Sequence, residues 1–163
     1  MKIHAYEKAF LYLGALLLVA FMGALTYAAV AMGMNLPSRA GSIEPAAVRT
    51  TPPFDEPGVR QTGPNSYEVV FIAQMWSFTP SEIRVPAGAE VTIKATSTDV
   101  VHGLSIEGTR VNLMLLPGQI TELKYTFRRA GEHLLICHEY CGRAHHMMGG
   151  RVIVEPGATG GTD

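Results

Sequence analysis

Two rhythms of apolar residues divide the chain. Residues 9–34, AFLYLGALLLVAFMGALTYAAVAMGM, are almost continuously apolar and carry no charged side chain. As a helix this stretch would measure about 39 Å, more than the roughly 30 Å hydrocarbon core of a bilayer. It therefore predicts a transmembrane anchor that spans with tilt or with one end projecting. From residue 67 onward the rhythm becomes alternation. Glu90-Val-Thr-Ile-Lys-Ala-Thr96 and Glu122-Leu-Lys-Tyr-Thr-Phe-Arg128 alternate polar with apolar residues, the pattern of half-buried strands. Residues 67–75 form a β-branched and aromatic run, and shorter strands are predicted at 83–85, 104–106, 111–116, 133–137 and 151–155. Turn signals separate them: Pro86-Ala-Gly88, Glu107-Gly108, Pro117-Gly118 and Ala130-Gly131. Short strands at close spacing, without helical periodicity or internal repeat, predict an all-β Greek-key sandwich or barrel.

Between the two rhythms, residues 35–66 hold six of the ten prolines. Proline removes backbone donors and blocks helix, so residues 36–66 read as a semi-extended connector lying on protein surface. Residues 156–163, PGATGGTD, read as a flexible tail. Lys2 and Lys8 precede the apolar span, while Arg39 and Arg49 follow it at a distance. This bias predicts a cytoplasmic N-terminus with the remainder outside. A cleaved signal peptide is the competing reading, with Ala29-Val30-Ala31 as its small-residue site, although the apolar run exceeds an h-region of ~7–15 residues. Both readings export the rest of the chain. A net charge of −1 gives no nucleic-acid footprint.

The chemistry concentrates in Cys137-His-Glu-Tyr-Cys141-Gly-Arg-Ala-His145-His-Met-Met148, between two predicted strands. Thiolate, imidazole and thioether are soft-to-borderline ligands that suit copper, and a blue-copper site uses one Cys, two His and a weak axial Met. This loop has two cysteines, and a second imidazole must come from elsewhere. His102, in Ser97-Thr-Asp-Val-Val-His102-Gly, stands beside an earlier predicted strand. Two thiolates can each bridge two metals; with two imidazoles and two weak axial donors they would complete a dicopper core over which one electron spreads. Two blander readings stay open. The two cysteines of an exported domain can form a disulfide. Cys137, Cys141, His145 and His102 can also meet the four-ligand count of structural zinc. Met148 can be core, Trp76 can be a core aromatic, and His146 leaves the histidine register ambiguous. His4 and His133 have no partner pattern, and His138 is expected to point away from a metal.

Taken jointly, the spacing C-x-E-x-C-G-x-x-H-x-x-M resembles the CuA-binding subunit II of cytochrome c oxidases, with Asp99-Val-Val-His102 matching that family's first ligand region. The resemblance covers residues 67–155 plus the upstream anchor. It implies a cupredoxin-like sandwich over residues 67–155 behind a single anchor over residues 1–35. It implies that Cys137 and Cys141 bridge two copper ions, that His102 and His145 each terminate one, and that Met148 and the Glu139 carbonyl are weak axial donors. The Glu139 side chain is also offered to a magnesium ion shared with the catalytic subunit. Gln74-Met-Trp76-Ser-Phe78 loosely matches an aromatic stretch where electrons are taken up, which makes Trp76 the candidate there.

The implied function is electron transfer from cytochrome c, or a similar small carrier, through the dicopper centre to haem in subunit I, where dioxygen is reduced to water. The chain would be one subunit of a proton-translocating oxidoreductase in the respiratory chain, with no independent catalysis. Its partners would be subunit I, the carrier and the lipid bilayer. One apolar span, where many members have two, places it nearer the single-span bacterial forms. Rival readings are a nitrous oxide reductase domain, which would bring a large propeller, a copper-delivery module with an exchangeable site, and a disulfide-stapled binding domain. A quinol-oxidase subunit II shares the fold but usually lacks the copper ligands.

Overall fold

The computed structural model describes residues 4–31 and 37–157. The chain divides into two compact units, Met1–Asn35 and Leu36–Asp163. Lys2, residues 32–34 of the predicted span and residues 158–163 of the predicted tail lie outside the described residues.

Among its described residues the first unit holds one helix, α1 (Ala5–Ala31), long and apolar enough to cross a membrane. Its first turn is capped by the Glu7 carboxylate, which accepts from the His4 backbone N–H at 2.7 Å and so satisfies a donor the helix leaves free. The Thr26 hydroxyl donates to the Met22 carbonyl at 2.8 Å. That bond satisfies a polar group on an otherwise apolar helix from within.

Among the described residues, the second unit is a two-sheet sandwich of eleven strands. The first sheet comprises β1 (Ser38–Ser42), β2 (Gly58–Gly63), β3 (Ser66–Gln74), β4 (Ser77–Thr79), β6 (Glu90–Ser97) and β9 (Gln119–Thr126), in the order β1-β9-β6-β3-β2, with β4 also paired to β3. The second comprises β5 (Glu82–Pro86), β7 (His102–Ile106), β8 (Asn112–Leu115), β10 (Gly131–Ile136) and β11 (Gly149–Glu155), in the order β5-β11-β10-β7-β8. Two pairs, β3 with β6 and β5 with β11, are parallel; every other pair is antiparallel.

Alternation does what the sequence leads one to expect. Val91, Ile93 and Ala95 of β6 face Leu104, Ile106, Leu113, Leu115 and Leu135 across one apolar core. Each such aliphatic side chain contributes on the order of 1.5–3 kcal/mol by leaving water.

The proline-rich stretch does more than connect. It supplies β1 and β2 to the first sheet, and between them Ile43, Val48 and Phe54 pack over Val70 and Ile72 on the sheet's outer side. Strand β3 is therefore buried on both faces from Val69 to Ala73. This explains why its sequence is a continuous apolar run instead of an alternation.

Candidate metal centre

Three loops meet at one end of the sandwich. The first is the tip of the β3–β4 hairpin. Gln74 pairs with Ser77, so Met75 and Trp76 form a two-residue turn. The second joins β6 to β7 and runs from Ser97 to His102. The Ser97 hydroxyl donates to the Val100 carbonyl at 2.5 Å, and the Asp99 carboxylate accepts from the Val100 N–H at 2.7 Å. Short polar side chains thus bend the backbone locally.

The third loop, residues 137–148, lies between β10 and β11. Ile136 pairs with Gly149, and the Cys137 N–H donates to the Met148 carbonyl at 3.1 Å, so the loop is closed at its base. Its second half winds into a short 3-10 turn, His145–Met147. In that geometry side chains three residues apart share a face. His145 and Met148 consequently look inward together, while His146 and Met147 look out. Met148 is 3% exposed and Met147 is 75% exposed.

The inward groups converge on two sulfurs. The Sγ atoms of Cys137 and Cys141 stand 3.8 Å apart as free thiols, well beyond the ~2.05 Å of a disulfide bond. Nδ1 of His102 lies 3.9 Å from the Cys137 sulfur, and Nδ1 of His145 lies 3.4 Å from the Cys141 sulfur. The Met148 thioether is 3.6 Å from the Cys141 sulfur, and the Cys137 thiol donates to the Glu139 carbonyl at 3.3 Å. Ligand atoms of His102, Cys137 and Cys141 all lie within 4.8 Å of one another, and all three residues are buried.

All six residues singled out in the sequence thus meet in one place. The donor set is two thiols, two imidazoles, a thioether and a carbonyl. Its chemistry fits copper.

The electrostatics suit a metal that displaces protons. Burial pushes the Cys141 thiol up to about 11, helped by the hydrogen bond it shares with Cys137 and by its electrostatic interactions with Cys137 and Asp99. A thiol so placed stays protonated until a cation replaces the proton. Burial also works to raise the Asp99 carboxyl. Hydrogen bonds from the Met75 N–H, the His102 ring and the Val100 N–H outweigh it and hold Asp99 below its ordinary value. An ionised carboxylate can only accept, so His102 Nε2, 2.9 Å from Asp99 Oδ1, carries the hydrogen. With that hydrogen on Nε2, the neutral ring offers its Nδ1 lone pair on the side facing Cys137, the form in which imidazole binds metal.

Trp76 is half-exposed and not a core aromatic. Its Nε1–H donates to the Cys141 carbonyl at 3.1 Å. The sequence reading gave Asp99 no role. Its only signal was its place three residues before His102. His138 is exposed, and its ring lies over Gly103, so close that a Cβ there would come within 2.5 Å of it. His133 bonds the Glu107 carbonyl at 3.0 Å, and His4, in the first unit, lies beside Tyr6.

Comparisons with known proteins point one way. The family profile described as "Cytochrome C oxidase subunit II, periplasmic domain" matches residues 74–155. Cytochrome c oxidase subunit 2 of Thermus thermophilus is 39% identical over 155 residues, covering 93% of this chain and 92% of that protein. A chain in the cryo-EM structure of a heme-copper terminal oxidase dimer superposes with a TM-score of 0.77 at 36% identity, covering 92% of this chain and 99% of that one. The crystal structure of the periplasmic domain of subunit II of cytochrome oxidase from Bradyrhizobium japonicum, at 18% identity and a TM-score of 0.51, shares the fold, covering 55% of this chain and 83% of that one. The sandwich is cupredoxin-like.

Proposed function

The chain belongs to the cytochrome c oxidase subunit II family of haem-copper terminal oxidases, and from that premise we propose that its clustered ligands hold a two-copper centre through which electrons enter the oxidase. In this reading Cys137 and Cys141 would be shared by both ions, His102 and His145 would each hold one, and Met148 and the Glu139 carbonyl would be the weak further donors. The observation that carries it is the pair of buried free thiols 3.8 Å apart with an imidazole against each. Bound there, two coppers sharing one unpaired electron would supply a one-electron couple.

The protein's own part is to keep the ligands still and dry. Cys137, Cys141, His102 and Met148 are buried, and the loop that carries five of the six donors is pinned at its base. A ligand cage that moves little between oxidation states keeps the cost of each transfer low. Trp76 reaches from the exposed hairpin tip to the Cys141 carbonyl, and we assign it the place of electron uptake. The donor is cytochrome c or a similar small carrier, and the acceptor is haem in subunit I, where dioxygen is reduced to water. The Glu139 side chain, partly buried at the rim, is available for a magnesium ion shared with subunit I. The helix anchors the chain with its N-terminus in the cytoplasm and the copper domain on the outer face.

Electron paramagnetic resonance of the copper-loaded protein tests the centre. Hyperfine coupling to two equivalent copper nuclei, with two coppers per chain, is expected. Cys141→Ser removes one bridge and should abolish that signal and stop electron uptake from the carrier. A silent single metal would indicate zinc, and a delocalised spectrum that survives Cys141→Ser would sink the assignment.

A further inference from the structure

The hairpin tip bearing Trp76 and the turn bearing His102 belong to different parts of the chain, and one side chain joins them. Asp99 Oδ2 accepts from the Met75 N–H at 2.7 Å, across 24 residues of sequence. Asp99 Oδ1 accepts from the Val100 N–H at 2.7 Å and from His102 Nε2 at 2.9 Å. The Ser97 hydroxyl lies 3.3 Å from the same Oδ1. A local turn needs only one acceptor oxygen. The second oxygen reaches out of its own loop to the neighbouring hairpin. Since the two amides and the ring N–H are all donors, only a group that is acceptor on both atoms can serve them together.

We propose that Asp99 is a positioning residue for electron uptake: its carboxylate holds the Trp76 hairpin tip and the His102 ring in one fixed relation. The Trp76 residue is then fixed twice, at its backbone through the preceding amide and at its ring through the Cys141 carbonyl. Met75 and Trp76 are each more than two-fifths exposed, so little packing would hold the tip if the amide bond were lost. His102, for its part, donates from Nε2 to Asp99, and that bond holds the ring with Nδ1 facing the Cys137 sulfur. Carboxylates that orient a metal-binding histidine in this way commonly matter about 10–100-fold in metal affinity. The consequence for function rests on the reading above, in which Trp76 and His102 have roles. The geometry itself belongs to the metal-free chain.

The test uses the full chain in detergent, as wild type, Asp99→Ala and Asp99→Asn. Trp76 is the only tryptophan, so quenching of its fluorescence by acrylamide reads the hairpin tip. The nitrogen-15 signal of the His102 ring N–H reads the other arm. In metal-free Asp99→Ala both should change: quenching rises, and the ring N–H exchanges faster with water. Copper affinity should then fall by about 10–100-fold. Asp99→Asn keeps the shape but offers one acceptor oxygen, so at least one of the two signals must move; it decides the matter if Asp99→Ala does not fold. Both signals unchanged in Asp99→Asn, or only one of them moved in a folded Asp99→Ala, overturns the proposal. Failure of the wild type to bind copper would instead defeat the functional reading, while the two metal-free signals still decide the place of Asp99.

Discussion

Trp76 and Gly142 are matched to each other. Gly142 sits at φ +115°, a conformation that side chains other than glycine's rarely adopt, and a Cβ there would stand 3.1 Å from the indole nitrogen of Trp76. The glycine lets the loop turn and lets the ring lie against it. The two methionines beside it separate as cleanly. Met148→Leu removes the buried thioether 3.6 Å from the Cys141 sulfur. A weak axial donor mainly tunes potential, so this variant should keep two coppers and shift the reduction potential. Met147→Leu changes an exposed side chain and should leave the potential where it is. Potentiometric titration of both distinguishes them, and a shift in Met147→Leu alone would move the axial position by one residue. Most of this site was legible in the sequence because its ligands lie four, four and three residues apart in one loop. Asp99 was not, because its partner amide at Met75 lies 24 residues away and a lone aspartate in a turn has many local uses.

At the scale of elements, alternation marked β6 and β9, and an apolar run marked β3. Five others, β5, β7, β8, β10 and β11, were visible by composition and turn signals. Three strands were not. β1 reads Ser38-Arg-Ala-Gly-Ser42 and lies on the sheet edge beside β9. An edge strand buries little, so nothing in its side chains need alternate. β2 carries one aliphatic residue, Val59, and β4 is three residues long. The prolines of this region pointed away from strand, yet they fall between β1 and β2 or at their flanks, where no ladder amide is needed. Phe54 gives a measure of what the covering segment contributes. It is fully buried over the outer side of β3. Phe54→Ala should cost about 3–5 kcal/mol, read as a lower denaturant midpoint. The two-copper spectrum should persist, because Phe54 packs in a different cluster from the thiols. Loss of the spectrum at full copper occupancy would show that the segment supports the site directly.

For the whole molecule, the helix and the sandwich are separate units of the chain. Their chemistry differs as completely as their folds: one offers a long apolar span, the other carries every proposed ligand. Orientation follows from the charges at the ends of the helix. With Lys8 at its start and no basic side chain in its last turn, the N-terminus should stay in the cytoplasm. Protease added to intact spheroplasts should then remove the copper domain. Survival of the domain until lysis would reverse the orientation. The sequence could indicate an anchor and an exported domain because charge and hydropathy are additive along the chain. It could not indicate that the proline-rich stretch joins the sandwich, since that depends on a sheet face the stretch itself does not contain.

The double burial of β3 has a kinetic consequence. Its amides between Val69 and Ala73 are covered on both sides and bonded to strands on both edges. In heavy water they can take up deuterium only when the sandwich as a whole opens, whereas those of β1 are free to exchange as the edge frays. The Met75–Trp76 turn hangs directly from the end of this strand. In the proposed reading, a carrier docking at Trp76 would therefore press on a tip rooted in this doubly buried strand, and each encounter would leave the geometry beneath it unchanged.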